Sequence, residues 1–180
     1  MSKNQIIISV VIILFFVFSL FSYSKNREDV IKKFNYAIEK TDLSVFLEFI
    51  NEFKKLDEDS KLSFELEESN LIKIINFEKK MFKLLPSDTI FYVHIGLREI
   101  LFDNAEYSEW IDELFSDYFL KNLKKSLSVL ENIKNTDDLE KIIVSAVFNE
   151  GAENKIIKFI ENEGLTKKKY YKIFLKYRTK

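Results

Sequence analysis

The chain contains no cysteine. That absence excludes disulfides, thiolate metal sites, a cysteine nucleophile and a lipid-modified N-terminal cysteine. Glycine and proline are scarce, with three and one among 180 residues. No P-loop, no G-x-G-x-x-G and no G-x-S-x-G elbow is present, which sets aside phosphate-cradling loops and the common serine-hydrolase turn. One histidine without thiols cannot make the usual zinc sites, so no metal or cofactor is expected. Neither sign of charge dominates: 28 basic side chains stand against 29 acidic ones, a balance that implies no polyanionic partner for the protein as a whole. What is plentiful is phenylalanine, at 18 residues. Aromatic side chains chiefly supply core area; a Phe-lined cavity that binds an acyl chain is the alternative use.

Residues 5–24, QIIISVVIILFFVFSLFSYS, come after a start carrying one basic side chain, Lys3. The apolar stretch Ile6–Phe21 is broken only by Ser9 and Ser19. It is slightly long for a signal-peptide core and slightly short for a span of roughly 20 apolar residues. Ser22 and Ser24 have the small-x-small spacing of a signal-peptidase site, which would release a chain beginning at Lys25. An uncleaved anchor is the alternative, although Arg27, Lys32 and Lys33 beyond the segment disfavour a simple Lys3-inside orientation. The expectation is therefore export across the cytoplasmic membrane, as a periplasmic, secreted or tethered protein. Residues 25–180 are expected to form one globular domain, helical over 25–85 and α+β over 86–180.

Apolar periodicity divides the chain beyond residue 25. Val30, Ile31, Phe34, Ala37 and Ile38 form one helical stripe, and Leu43, Phe46, Leu47, Ile50, Phe53 and Leu56 form another, with a cap at Thr41-Asp42. A further helix is predicted over 70–85 and ends at Pro86. Thr89–Ile95, TIFYVHI, is dense in β-branched and aromatic residues and reads as a buried strand closed by Gly96. Residues 106–134 are predicted helical with a break near Lys121. Residues 139–148 fit a helix by the stripe Leu139, Ile142, Ile143, Ala146 and Val147, or a strand by the run Ile142-Ile143-Val144. A helix over 153–163 is capped by Gly164. Residues 170–177 read as an edge strand, or as a helix with Tyr170, Phe174 and Tyr177 on one face. The fold class predicted is α+β, helix-dominated with a small sheet from 89–95, 140–148 and 170–177; all-α is the alternative.

Leu85-Pro86-Ser87-Asp88-Thr89 leading into IFYVHI resembles the opening of a family of exported bacterial proteins of unknown function, in which Leu-Pro-x-Asp-Thr begins a strand. Asp137–Val144 resembles that family's second strand, and NKIIKFIENEG with the later YYKIFLKY resembles its later helix and strand. The resemblance covers residues 85–178 and implies an α+β fold and export. It departs by lacking a clear strand between Phe148 and Asn154, and it carries no catalytic residues to transfer.

Three groups of residues invite chemistry. His94 is the single histidine, suited to general-base work near neutral pH; a hydrolase would pair it with a nucleophile such as Ser145, or Ser87 beside Asp88. As a structural residue it would be hydrogen-bonded at the rim of the predicted strand. Asp57, Asp59, Ser63, Glu65 and Glu68 approach the spacing of a calcium loop, but Lys61 occupies a ligand position and Leu62 replaces the glycine of the sharp turn, so a solvated acidic loop is expected. The tail carries Lys167, Lys168, Lys169, Lys172, Lys176 and Arg178 interleaved with Tyr170 and Tyr171. Such a segment can lie on an anionic lipid surface with rings at headgroup depth; export disfavours nucleic acid as its partner. The function expected is a non-enzymatic envelope protein contacting a membrane surface or an envelope protein, against an ester or lipid hydrolase using His94, or an acyl-chain-binding protein.

Overall fold

The computed structural model describes residues 27–65, 68–84, 86–101 and 105–178. The export segment and its Ser22-x-Ser24 site lie outside them. Contacts divide the chain into two compact units, one ending at Lys61 and one beginning at Leu62.

The first unit is a helical hairpin, as the two stripes predict. α1 covers 27–40 and α2 is Leu43–Phe53. Thr41 turns the chain between them at φ 57°. The Asp42 N–H closes α1 onto the Ala37 carbonyl at 3.0 Å, while the Asp42 carboxylate accepts from the Ser44 and Val45 N–H groups and so opens α2. Buried Phe34 meets Phe49 across the hairpin at 5.0 Å between ring centroids, and Phe49 packs on Phe46 and Phe53 of its own helix at 5.7 and 5.6 Å, all with tilted rings. The acidic run continues as helix rather than loop. α3 (Glu58–Glu65) starts where Asp57 caps the Ser60 N–H at 3.0 Å and crosses the division between the units.

The second unit consists of α4 (Glu68–Leu84), α5 (Ser87–Ile100), α6 (Ala105–Lys121), α7 (Leu123–Asn132), α8 (Thr136–Ala146), α9 (Ala152–Asn162), α10 (Lys169–Phe174) and a 3₁₀ turn, Leu175–Tyr177. α6 is the hub and packs on α4, α5, α7, α8 and α9. The helix predicted over 106–134 is α6 and α7 with the break at Asn122. The Gly164 cap is a Schellman closure: Gly164 has φ 69°, its N–H bonds the Glu161 carbonyl at 3.2 Å, and the Leu165 N–H bonds the Ile160 carbonyl at 2.9 Å.

Among the described residues there is no strand, which corrects the predicted sheet in favour of the all-α alternative. Thr89–Ile95 belongs to α5. That helix is surrounded by α4, α6, α7 and α8, so Ile90, Phe91, Val93, His94, Ile95 and Leu97 are all buried and no polar face shows in the sequence. A buried helix and a buried strand then look alike. Propensity disfavours β-branched residues in a helix by at most about 0.7 kcal/mol each, whereas burying each large apolar side chain returns about 1.5–3 kcal/mol. Residues 140–148 fall largely in α8, opened by Asn135, whose side chain accepts from the Asp137 and Asp138 N–H groups at 2.8 and 3.4 Å. Two acidic residues in the first turn favour the same choice through the helix dipole. Residues 170–177 form α10 and the 3₁₀ turn, with Tyr170 and Phe174 buried one turn apart. No described helix is long and apolar enough to cross a membrane.

Candidate functional site

α5 places His94 in the interior of the second unit with no exposed surface. Its Nδ1 lies 2.9 Å from Oε1 of Glu78, carried on α4 and equally buried. Its Nε2 lies 3.4 Å from Oδ1 of Asp112 on α6, an ion-pair separation. Arg98, one turn beyond His94 on α5, brings Nε to 3.4 Å from the same Asp112 oxygen and donates from Nη1 to the Lys141 carbonyl of α8 at 3.2 Å. Phe115 covers one face of the imidazole, with centroids 4.0 Å apart and planes 15° from parallel. The result is an alternating series, Glu78, His94, Asp112 and Arg98, that joins α4, α5 and α6 through charges where apolar contacts would otherwise stand.

Burial drives the Glu78 carboxyl above its ordinary value, against the pull of the adjacent imidazole. For His94 burial works against the charged ring, but close contact with, and charge from, Asp112 and Glu78 outweigh it and hold the pKa above the ordinary value. Both directions favour the protonated forms of Glu78 and His94. A buried ionic series of this kind is tolerated where opposite charges meet at close range. Glu78 Oε2, His94 Nε2 and Asp112 Oδ1 have no hydrogen-bond partner, so the contacts to Asp112 are ionic and the cluster is a compromise rather than a fully satisfied network.

This arrangement gives His94 carboxylates on both ring nitrogens, whereas a nucleophile-activating histidine keeps one nitrogen for the hydroxyl. The Ser145 hydroxyl is also buried, and donates to the Lys141 carbonyl of its own helix at 3.2 Å. The two residues read together from the sequence are thus linked only through Asp112, Arg98 and the Lys141 carbonyl that Arg98 and Ser145 share. Glu78 and Asp112 lie on opposite sides of the ring and do not converge on a common point; among the described residues no three metal-binding side chains cluster.

Two joined grooves on the surface of the same unit offer more to a ligand. The larger, of about 650 Å³, runs between α4 and α6 and is lined by Lys79, Phe82, Lys83, Leu114, Asp117, Tyr118, Lys121, Asn122 and Lys125. Phe82 and Tyr118 stack on its floor at 4.8 Å. The smaller, of about 270 Å³, shares Lys79, Leu114 and Asp117 with it and adds Ile75, Trp110 and Glu113. Lys121 pairs with Asp117 at 3.4 Å; Lys79, Lys83 and Lys125 meet no carboxylate among the described residues.

No family model, curated protein or solved structure matches this chain.

The tail is docked on α7, α8 and α9. Tyr170 and Phe174 face the core. Lys168 pairs with Glu131 at 2.7 Å, Lys176 with Glu140 at 3.0 Å and Arg178 with Glu161 at 3.6 Å. Lys169 Nζ donates to the Ile133 carbonyl, and the Tyr171 hydroxyl donates to Glu161 at 2.9 Å. Lys167 and Lys172 stay exposed without a partner among the described residues. Sequence reasoning missed Glu78, Arg98 and Asp112. The signal was there for two of them: Glu78 stands in the apolar stripe of Ile74, Ile75, Met81 and Phe82, and Asp112 in that of Ile111, Phe115 and Phe119.

Proposed function

We propose that this protein is a non-enzymatic cell-envelope module that rests on an anionic lipid surface through the face formed by α4 and α6. The observation that carries the reading is the groove itself, where three lysines without carboxylate partners surround an aromatic floor. Ammonium groups at phosphate depth and rings at the headgroup boundary are the chemistry of an interfacial contact. Trp110, at 44% exposure, extends that face, and so does Ile72, two turns before Lys79 on α4. The apolar segment Ile6–Phe21 supports delivery to the envelope. Left uncleaved, it would tether the groove to a bilayer and raise its effective concentration there.

Trp110 is the only tryptophan in the chain, so its fluorescence reports this face alone, whether or not an anchor is retained. Its emission is expected to be quenched by vesicles of anionic lipids with brominated chains and unaffected by zwitterionic ones. A lysine near such a surface contributes about 1 kcal/mol, so Lys79→Ala, Lys83→Ala and Lys125→Ala together should weaken the contact on the order of 100-fold. Lys167→Ala with Lys172→Ala should weaken it less than about tenfold, the tail having most of its charges engaged within the protein. Absence of quenching at low salt would refute the reading, and the reverse order of the variants would move the contact to the tail.

A further inference from the structure

We infer that the groove between α4 and α6 is a headgroup site for a lipid phosphomonoester, holding one doubly charged phosphate among its lysines. The inference rests on the reading of this face as the lipid-binding surface, and it adds a defined ligand.

Four ammonium groups line one cavity of about 650 Å³ with a single carboxylate, Asp117. Lys79 and Lys83 stand one turn apart on the α4 wall. Lys121 and Lys125 stand four residues apart on the opposite wall, across the break at Asn122. Like charges one helical turn apart repel, as Lys79 and Lys83 do, and here two further lysines share their groove while the whole chain carries a formal charge of only −1. Asp117 does little to offset them, being shared between Lys121 at 3.4 Å and the Asn149 side-chain amide at 2.9 Å. An anion bearing two charges on one phosphorus neutralises such a cluster at the ordering cost of one molecule rather than several.

The floor decides between a free phosphate and a lipid. Phe82, Leu114 and the ring of Tyr118 offer a small inorganic ion only apolar surface, and the adjoining cavity continues that surface to Ile75 and Trp110. A phospholipid supplies both halves: phosphate at the lysine rim, glycerol and the first acyl carbons over the rings. A phosphomonoester, with its second pKa near about 6, carries nearly two charges at neutral pH, and surrounding ammonium groups favour the second ionisation. A phosphodiester headgroup carries one.

The test uses Trp110 quenching by brominated vesicles containing either phosphatidic acid or phosphatidylglycerol, adjusted to equal surface charge, with the protein as recovered from cells. Phosphatidic acid is expected to bind at least about tenfold more tightly. Lys83→Ala with Lys125→Ala, one exposed side chain from each wall, should reduce that preference to within about twofold while circular dichroism stays unchanged. Millimolar inorganic pyrophosphate should compete with the phosphatidic acid vesicles. Equal binding of the two vesicle types by the unmodified protein would overturn the headgroup site while leaving surface binding intact. Quenching by neither would remove the surface reading. Pyrophosphate-induced change in Trp110 emission without vesicle binding would overturn the lipid assignment in favour of a free polyphosphate ligand.

Discussion

His94 holds two carboxylates in place, so removing it exposes what each interaction costs. In His94→Leu, Glu78 and Asp112 would face each other through an apolar side chain, and Glu78 is fully enclosed. Breaking a buried ionic cluster in this way costs about 3–5 kcal/mol, measurable as a fall in the urea midpoint. Replacing Glu78, His94 and Asp112 together by leucine should cost far less than the separate losses summed, because the one charge left without its partner, Arg98, is part-exposed and still donates to the Lys141 carbonyl. The same cluster makes stability depend on pH. Both Glu78 and His94 have folded pKa values raised above their ordinary ones, so the folded protein binds more protons than the unfolded chain and stability falls as pH rises. The Glu78 share begins to fall above the ordinary carboxyl value of 4.5 and is lost through its raised one. The His94 share is complete below the ordinary 6.5 and is lost as pH passes the raised value. Urea midpoints should therefore decline as pH rises past 6.5, and the decline should flatten in His94→Leu. Identical slopes in the two proteins would contradict the assignment. Tyr170 is the opposite case: its hydroxyl is buried with no partner, so Tyr170→Phe should be neutral or stabilising by about 1 kcal/mol in thermal unfolding.

At the scale of elements, two helix ends show the same closure made with different residues. Gly164 ends α9 at φ 69°, and Thr41 ends α1 at φ 57°. A Cβ at 164 would meet nothing within 4 Å, so conformation alone sets the effect there. Left-handed backbone costs a side-chain-bearing residue about 1–2 kcal/mol. Gly164→Ala should therefore lower stability by about 1 kcal/mol, and Thr41→Gly should raise it by a similar amount, both read from chemical denaturation. Helices with one wet face were legible for the same local reasons: stripes, caps and breakers lie within a few residues of each other, as at Asp42, Asn122 and Gly164. α5 was not legible. Its neighbours on several sides removed the polar face that marks a helix, and the choice between 2.0 and 3.6 residues per period then had nothing to act on. The same misreading put His94 at the rim of a strand and hid its partners, since Glu78 and Asp112 meet it only when three helices cross. The tail failed differently: Tyr170 and Phe174 turn inward on α10, so a segment that reads as amphipathic is core on one side and largely ion-paired on the other.

Across the whole molecule the near-zero charge conceals local imbalance. Acidic side chains such as Glu131, Glu140 and Glu161 are drawn to the tail, while the α4–α6 groove keeps three lysines without carboxylate partners. The lipid contact proposed for that groove should accordingly weaken as salt rises, with most of the loss between about 10 mM and physiological ionic strength, where the screening length falls from about 30 to about 8 Å. Trp110 quenching that is independent of salt would assign the contact to apolar insertion instead. The sequence by itself determined the helix-rich character, the hairpin of residues 27–53, the caps at Asp42 and Gly164 and the absence of thiol chemistry, because each depends on residue type and near-neighbour spacing. Only the tertiary structure decided that α5 is a helix, that His94 lies between two carboxylates, that Tyr170 faces inward and that Lys79, Lys83, Lys121 and Lys125 line one groove. Those facts depend on which residues from separate helices share a volume, and burial energies there exceed the local preferences that a sequence displays.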